Sequence, residues 1–270
     1  METLKFWRDS KLPFIEARIV SDGREVHYDK HSHDAFSVGA ITSGRSMYWT
    51  EQQTQEINCG TVVLMNVGDV HACNPVHNSP WSYIMFYVDA GWLMRLQADL
   101  GFEVHGSMQR FDTLVSQVPA LFNALTVLYD VCTDASNDVL LKQTAIFDFF
   151  ILLHQTLKVV PELRLKENPK LKKAADFIAQ HCTENLSLDD ICVASGLSPS
   201  YLVRAFKQQY GMTPHAYMVN RRILFAQQQL KTGQAIADVA LAAGFADQAH
   251  FQRIFKRFVA ATPRQYSIHQ

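Results

Sequence analysis

GLSPSYLVRAFKQQYGMTPHAY (residues 196–217) and GFADQAHFQRIFKRFVAATPRQY (residues 244–266) are two copies of one pattern. Leu202, Arg204, Phe206, Lys207, Thr213, Pro214 and Tyr217 of the first stand 49 positions before Phe251, Arg253, Phe255, Lys256, Thr262, Pro263 and Tyr266 of the second. In each copy the apolar residues recur at helical spacing and the basic residues fall at another phase of the same helix. The apolar stripe has to be buried, so the basic face is left for a partner. A duplicated basic helix suits a polymer whose features repeat every helical turn, and duplex DNA is that polymer.

Around these helices the sequence carries start and stop signals. Residues 188–194 have helical spacing, Gly196 punctuates, and Ser198-Pro199 opens a second helix with a capping residue and a proline in its first turn. On that second helix Leu202, Ala205 and Phe206 share one face, and Ser200, Val203, Arg204 and Lys207 another. The second copy repeats the plan: a helix over 236–241, a turn at Gly244, and Asp247 capping a helix through Phe258. Phe251, Ile254, Phe255 and Phe258 form its apolar stripe, while Gln248, Gln252, Arg253, Lys256 and Arg257 point away. These are the residue types that read base edges or grip phosphates. Thr213-Pro214 caps a spacer helix to about Leu230, ~25 Å long at 1.5 Å per residue, which can set the two reading helices one DNA turn apart.

Charge divides the chain in the same place. Residues 169–270 hold twelve Lys/Arg against six Asp/Glu, net +6, and residues 1–168 hold thirteen against twenty, net −7. An acidic half therefore precedes a basic half that contains the repeat. No run approaches the length of a membrane span, and the opening METLKFWRDSKLPF lacks the apolar core of a secretory signal, so the expectation is a cytoplasmic protein without membrane partners. The five cysteines, odd in number and without a C-x-x-C pair, read as reduced and mostly packed thiols.

Residues 170–267 resemble the DNA-binding domain of the AraC/XylS family of bacterial transcription regulators. The resemblance rests on the paired turn glycines, the two F-K pairs (Phe206-Lys207 and Phe255-Lys256), the two T-P steps and Arg221-Arg222 in the linker helix, all in order. It implies a seven-helix domain whose third and sixth helices read promoter DNA, here 199–209 and 248–258. One departure stands out: Ala260 occupies the place of Gly211, and alanine in a left-handed cap costs about 1 kcal/mol.

The N-terminal half shows short β-branched and aromatic runs at 36–42, 46–50, 61–65 and 81–88, the spacing of an antiparallel barrel or sandwich. Gly60 to His71 (GTVVLMNVGDVH) resembles the second motif of the cupin barrel with Asn66 in place of its proline, and His31-Ser32-His33 resembles the first. A cupin-type sensor ahead of this DNA-binding domain is the common family layout. His31 and His33 share a strand face, and His71 can approach them across a barrel. Where the cupin metal site adds a glutamate, this chain has Ser37 and Val38, so a small-molecule or structural role is favoured over a metal. Trp81, Tyr83, Met85 and Tyr87 line one face of their strand, with Tyr48 and Trp49 open to either side; the alternative for all of them is ordinary barrel core.

Residues 111–130 and 139–160 read as two amphipathic helices, which by the resemblance offer a homodimer interface and otherwise cover the barrel. The expected organisation is α+β: a ligand-sensing barrel with a helical hairpin over 1–160, a linker over 161–169, and the double helix-turn-helix domain over 170–270. An N-terminal arm to about Phe14 is a candidate for ordering across the pocket. The leading function is a ligand-responsive regulator that contacts RNA polymerase if it activates. Candidate ligand contacts are His31, His33, Tyr48, His71, Trp81 and Tyr83, with no catalytic residue, metal or cofactor assigned. The alternatives are a metal-dependent cupin enzyme with a DNA-binding tail and an architectural protein that holds DNA by charge alone.

Overall fold

A computed structural model describes residues 3–51, 53–77, 79–104, 106–161 and 168–267. Of the expected linker over 161–169, residues 162–167 lie outside this set. The described chain forms two units, one drawn from residues 1–27 and 33–163, the other from residues 28–32 and 164–268.

The first unit is antiparallel β-structure with three helices. Its strands are β1 (Leu4–Arg8), β2 (Ile15–Val20), β3 (Ala35–Thr50), β4 (Thr54–Asn58), β5 (Val62–Met65), β6 (His71–Pro75), β7 (Trp81–Asp89) and two short pieces, β8 (Arg110–Phe111) and β9 (Val115–Ser116). They pair in the order β1-β2-β7-β3-β5-β9, with β4 and β6 also on β3. The two runs expected at 36–42 and 46–50 are one 16-residue strand. Its first half pairs with β5 and β7 and its second half with β4 and β6. Partners change at a register shift between Ile41 and Ser43, next to Gly44 at φ +67°. A side chain at Gly44 would meet the Pro80 carbonyl oxygen at 2.2 Å, so the strand bends there and continues where the sequence suggests a turn. The N-terminal arm is the edge strand β1, paired with β2 from Leu4↔Val20 to Arg8↔Glu16.

One face of this sheet is apolar and buried against helices. Ile15, Ala17, Phe36, Val38, Ala40, Val62, Leu64, Ile84, Phe86 and Val88 share a core with α1 (Ala90–Asp99), α2 (Pro119–Thr133) and α3 (Val139–Thr156). Helix α1 has no counterpart in the sequence expectation; it starts where the Asp89 carboxylate accepts from the Trp92 amide at 2.8 Å. The helix expected over 111–130 begins only at Pro119, because a proline at the first turn disfavours helix in the residue before it. Upstream, β8 pairs with β10 (Val159–Val160) and β9 with β5. The second helix likewise ends at Thr156, not 160. Asn66, where the cupin motif has proline, uses its amide as a backbone mimic. Its Oδ1 accepts from the Phe111 N–H at 2.8 Å and its Nδ2 donates to the Phe111 carbonyl at 3.1 Å.

The second unit contains seven helices among its described residues: α4 (Pro169–His181), α5 (Leu188–Ser195), α6 (Pro199–Tyr210), α7 (Pro214–Lys231), α8 (Ile236–Ala242), α9 (Gln248–Val259) and α10 (Pro263–Ser267). Their ends follow local chemistry. Ser187 and Asp190 form a reciprocal capping box on α5, the Thr213 hydroxyl caps α7, and Asp247 caps α9 through the His250 amide at 2.7 Å. Ser198 holds the extended N-cap backbone of α6 but makes no side-chain cap bond, a departure from expectation. Left-handed residues close α5 at Gly196, α6 at Gly211 and α9 at Ala260, whose φ is 48°.

The sequence repeat is a packing repeat. The Phe206 and Tyr217 rings meet edge to face at 5.4 Å and 72°, and the corresponding Phe255 and Tyr266 rings at 5.6 Å and 69°. Leu202 and Phe206 are buried with Leu171, Ile178 and Ile191, as Phe251, Phe255 and Phe258 are in the second copy; Ile254 is only half-buried. All five cysteines are free thiols and three are buried, with burial pushing Cys73 and Cys132 up to about 12. Among the described residues no helix is long and apolar enough to cross a membrane.

Candidate DNA interface and effector site

Helices α6 and α9 present the basic face that the repeat requires. Ser200, Val203, Arg204 and Lys207 on α6 and Gln248, Gln252, Arg253, Lys256 and Arg257 on α9 are all exposed. Arg204 and Arg253 stand two positions before Phe206 and Phe255, on the opposite side of their helices, so burial of those phenylalanines fixes the direction in which the arginines project. The paired arginine and lysine of each copy therefore occupy equivalent places. A reading helix of this kind contributes both charge for phosphates and forked donors for guanine edges.

Not every basic residue of this unit faces outward. The guanidinium of Arg222 on α7 donates to three carbonyls, Cys182 at 2.5 Å, Gly244 at 2.7 Å and Glu184 at 2.7 Å. It ties the spacer helix to the turn of the second helix-turn-helix and to the segment after α4. This is a structural arginine, and the sequence, which shows only Arg221-Arg222, does not separate it from the outward-facing ones.

In the first unit the face of the sheet opposite the helix-backed core carries polar and aromatic side chains among apolar ones. Alternation puts Tyr83, Met85 and Tyr87 of β7 and Ser37, Gly39 and Ile41 of β3 on it. Gly39 leaves the space that Met85 fills, since a Cβ there would meet the Met85 methyl at 2.6 Å. From β2 come Glu16 and Arg18. Glu16 pairs with Arg8 of β1 at 2.7 Å, and Arg18, 1% exposed, lies over the rings of Phe6 at 5.5 Å and Tyr83 at 5.7 Å. The sequence reading missed these three charges. The available signal was the alternation of Glu16 and Arg18 with Ile15, Ala17 and Ile19 in one strand.

His33 and His71 do come together. Their ring centroids are 4.8 Å apart, and His33 also meets Tyr87 at 5.6 Å. Each Nδ1 lies 2.9 Å from a backbone carbonyl, of Ala35 for His33 and Asp69 for His71. A carbonyl accepts only, so Nδ1 carries the proton and Nε2 the lone pair in the neutral ring. The Ser37 hydroxyl stands 3.3 Å from His33 Nε2, an alcohol near the place of the carboxylate of the cupin metal motif. Burial pulls the His33 imidazole below the usual histidine range, which keeps it neutral. His31 belongs to the segment grouped with the second unit, where it stacks on Tyr28 at 5.3 Å and its Nδ1 is 2.9 Å from the Asp29 carbonyl.

Tyr48 and Trp81 are buried and their polar atoms are engaged. The Tyr48 hydroxyl donates to the Leu64 carbonyl at 2.9 Å, and burial pushes its phenol above the ordinary tyrosine range. The Trp81 indole N–H donates to the Gly23 carbonyl at 2.8 Å while its ring stacks on Tyr83 at 4.6 Å. Both therefore act as fixed walls. Tyr83, Arg18, His33, His71 and Tyr87 supply the polar chemistry of this face.

Comparison with known proteins agrees with this geometry. Residues 14–147 match the model of the AraC-like ligand-binding domain, and residues 174–267 match that of a helix-turn-helix domain. The chain is 28% identical over 228 residues to YbfI of Bacillus subtilis, an uncharacterized HTH-type transcriptional regulator, covering 83% of this chain and 81% of that protein. It is 23% identical over 265 residues to RafR, the raffinose operon transcriptional regulatory protein of Pediococcus pentosaceus, covering 93% and 94%. Against a Staphylococcus aureus HTH-type regulator, SACOL0084, it is 27% identical but spans only 33% of that protein. In fold it is similar to ToxT of Vibrio cholerae, with a TM-score of 0.59 at 15% identity over 94% of this chain and 97% of that one. With a ligand-binding β-domain followed by a double helix-turn-helix domain, the chain belongs to the AraC family of transcriptional regulators.

Proposed function

We propose that α6 and α9 enter successive major grooves of one promoter, with α7 as the rigid spacer between them. The repeated geometry carries this reading: equivalent Phe–Tyr ring pairs orient two equivalent basic faces. Eighteen residues of α7 span ~27 Å at 1.5 Å per residue, suited to grooves about 34 Å apart. Arg204, Lys207, Arg253 and Lys256 are the shared contacts, with Ser200, Val203, Gln248, Gln252 and Arg257 distinguishing the two half-sites. Because α9 has Gln248 and Gln252 where α6 has Pro199 and Val203, the site is asymmetric and the protein binds it in one orientation.

The effector occupies the face of the β-unit opposite the helices. The histidine rings, the buried Arg18 guanidinium and the tyrosine rings suit a small polar molecule with an apolar or aromatic body. To act as a signal it has to bind two conformations with unequal affinity. The protein works in the cytoplasm as a regulator without catalytic turnover, metal or cofactor. As an activator it contacts RNA polymerase, and α2 and α3, whose Val127, Leu140, Leu141 and Phe147 are exposed, provide its homodimer surface.

The test is footprinting on duplexes that the full-length chain selects from a random pool. Arg253→Ala should cost ~1 to 3 kcal/mol on the selected site and relax preference at one position. Binding that is sequence-indifferent at about 0.15 M salt would instead favour charge-only binding.

A further inference from the structure

We propose that residues 28–32 form a clasp on the DNA-binding unit, so that Asp29 and duplex phosphate compete for the Arg257 guanidinium. The inference rests on the reading that α9 meets DNA. Arg257 is held at both ends by one residue. The Asp29 N–H donates to the Arg257 carbonyl at 2.8 Å, and the Asp29 carboxylate pairs with the Arg257 guanidinium at 2.7 Å. Carbonyls in the last turn of a helix have no donor within the helix. Ala260 closes back to the Lys256 carbonyl at 2.8 Å, and the backbone of Asp29 supplies the donor for the next one.

A second contact fixes the segment independently of that pair. Asn220 sits in the middle of α7, 2% exposed, where asparagine is a poor helix former. Its side chain is matched to the backbone of Ser32. Oδ1 accepts from the Ser32 N–H at 3.3 Å, and Nδ2 donates to the Ser32 carbonyl at 3.0 Å and to its hydroxyl at 3.2 Å. A buried amide that exchanges bonds with one backbone residue is a receptor for an extended segment. The unit therefore carries a peptide-docking surface whose occupant is the chain's own residues 28–32.

The ion pair is positioned to be exchanged. Its side chains are 61% and 37% exposed, so water and salt weaken it, and it holds Arg257 without locking it. A phosphate diester offers the same guanidinium a geometrically matched anion. While the clasp is closed, Arg257 is neutralised and the reading face has one fewer cation for the backbone. Ser32 is bonded in sequence to His33, which gives an effector bound at His33 a covalent handle on the clasp.

The experiment uses the full-length protein and a duplex it has selected from a random-sequence pool, with affinity measured against salt. Asp29→Asn should bind roughly eightfold more tightly at about 0.1 M salt, and its salt slope should steepen by about 0.9, the signature of one added phosphate contact. In an Arg257→Gln background the same Asp29→Asn change should do nothing. Tightening that persists without Arg257 would mean a general charge effect and overturn the clasp. Unchanged affinity and slope for Asp29→Asn, with Arg253→Ala still weakening binding, would overturn the clasp and leave the α9 reading intact. If Arg253→Ala has no effect either, the reading of α9 fails and the clasp with it.

Discussion

Gly196 and Gly244 hold the same place in the two copies, yet alanine should be far more damaging at the second. Both are left-handed, at φ 66° and 78°, so alanine at either pays the steric cost of that region, about 1–2 kcal/mol, partly offset by about 0.4–1 kcal/mol from a less flexible unfolded chain. At Gly196 nothing more is added, because a Cβ there comes no closer than 4.0 Å to the flexible end of Lys170. At Gly244 the Cβ would fall 2.4 Å from the Thr183 carbonyl oxygen, 2.9 Å from its carbon and 3.1 Å from the Arg222 guanidinium carbon. That backbone cannot move aside cheaply, since Arg222 is bonded to the carbonyls of Cys182 and Glu184 on either side of it and to that of Gly244 itself. Overpacking of this kind adds about 1–3 kcal/mol. The expected losses are therefore about 1 kcal/mol for Gly196→Ala and about 2–4 kcal/mol for Gly244→Ala. The assay is urea unfolding followed by far-ultraviolet circular dichroism and, in parallel, by tryptophan fluorescence. All four tryptophans (Trp7, Trp49, Trp81 and Trp92) lie in the first unit, so their transition serves as an internal control. Equal losses for the two variants, or a larger loss at Gly196, would refute the argument that the Thr183–Arg222 contact distinguishes the copies.

The cap of α9 predicts the opposite sign: Ala260→Gly relieves a left-handed alanine and should raise the stability of the helical unit by about 0.5–1 kcal/mol, seen as a later dichroism midpoint. Asn66→Ala strips both bonds from the buried Phe111 backbone and should cost about 2–3 kcal/mol in the fluorescence transition. Burial holds His33 and His154 below the ordinary histidine range; their folded forms resist protonation, so the unfolded chain binds more protons as pH falls. Stability of the first unit should therefore be fully present above the unfolded histidine value of about 6.5 and decline as pH drops through and below it. Fluorescence midpoints across that range check the sign, and His154→Gln should flatten part of the slope.

The helical half was largely legible because its signals are local. Pro199, Pro214, Asp247 and the turn glycines fix helix ends through bonds a few residues away, so the helices fall within a residue or two of their expected ranges. The β-half was less so. Strand content was visible, but β3 runs through the expected turn at 43–45 because its two halves find different partners, which local sequence does not specify. The stretch before Pro119 looked helical by its leucine spacing and instead pairs as β8 and β9 with strands far away in sequence. Of the candidate ligand residues, His33 and His71 meet, although His31 and His33 precede β3 and do not share a face of a strand as expected, whereas Tyr48 and Trp81 have their polar atoms bound to backbone carbonyls. That difference depends on contacts with Leu64 and Gly23, not on residue type.

The sequence by itself determined the duplication, the two exposed basic faces and the family, because helix periodicity and capping are written in neighbouring residues. Tertiary structure alone decided that Arg18 is buried on the sheet face opposite the helices, that Arg222 is structural while Arg204 and Arg253 face outward, and that Gly244 is crowded where Gly196 is open. It also decided that Asp29, more than two hundred residues away in sequence, rests on Arg257. Burial and pairing are set by which distant segments pack together, and an arginine or a glycine carries no local mark of its partner.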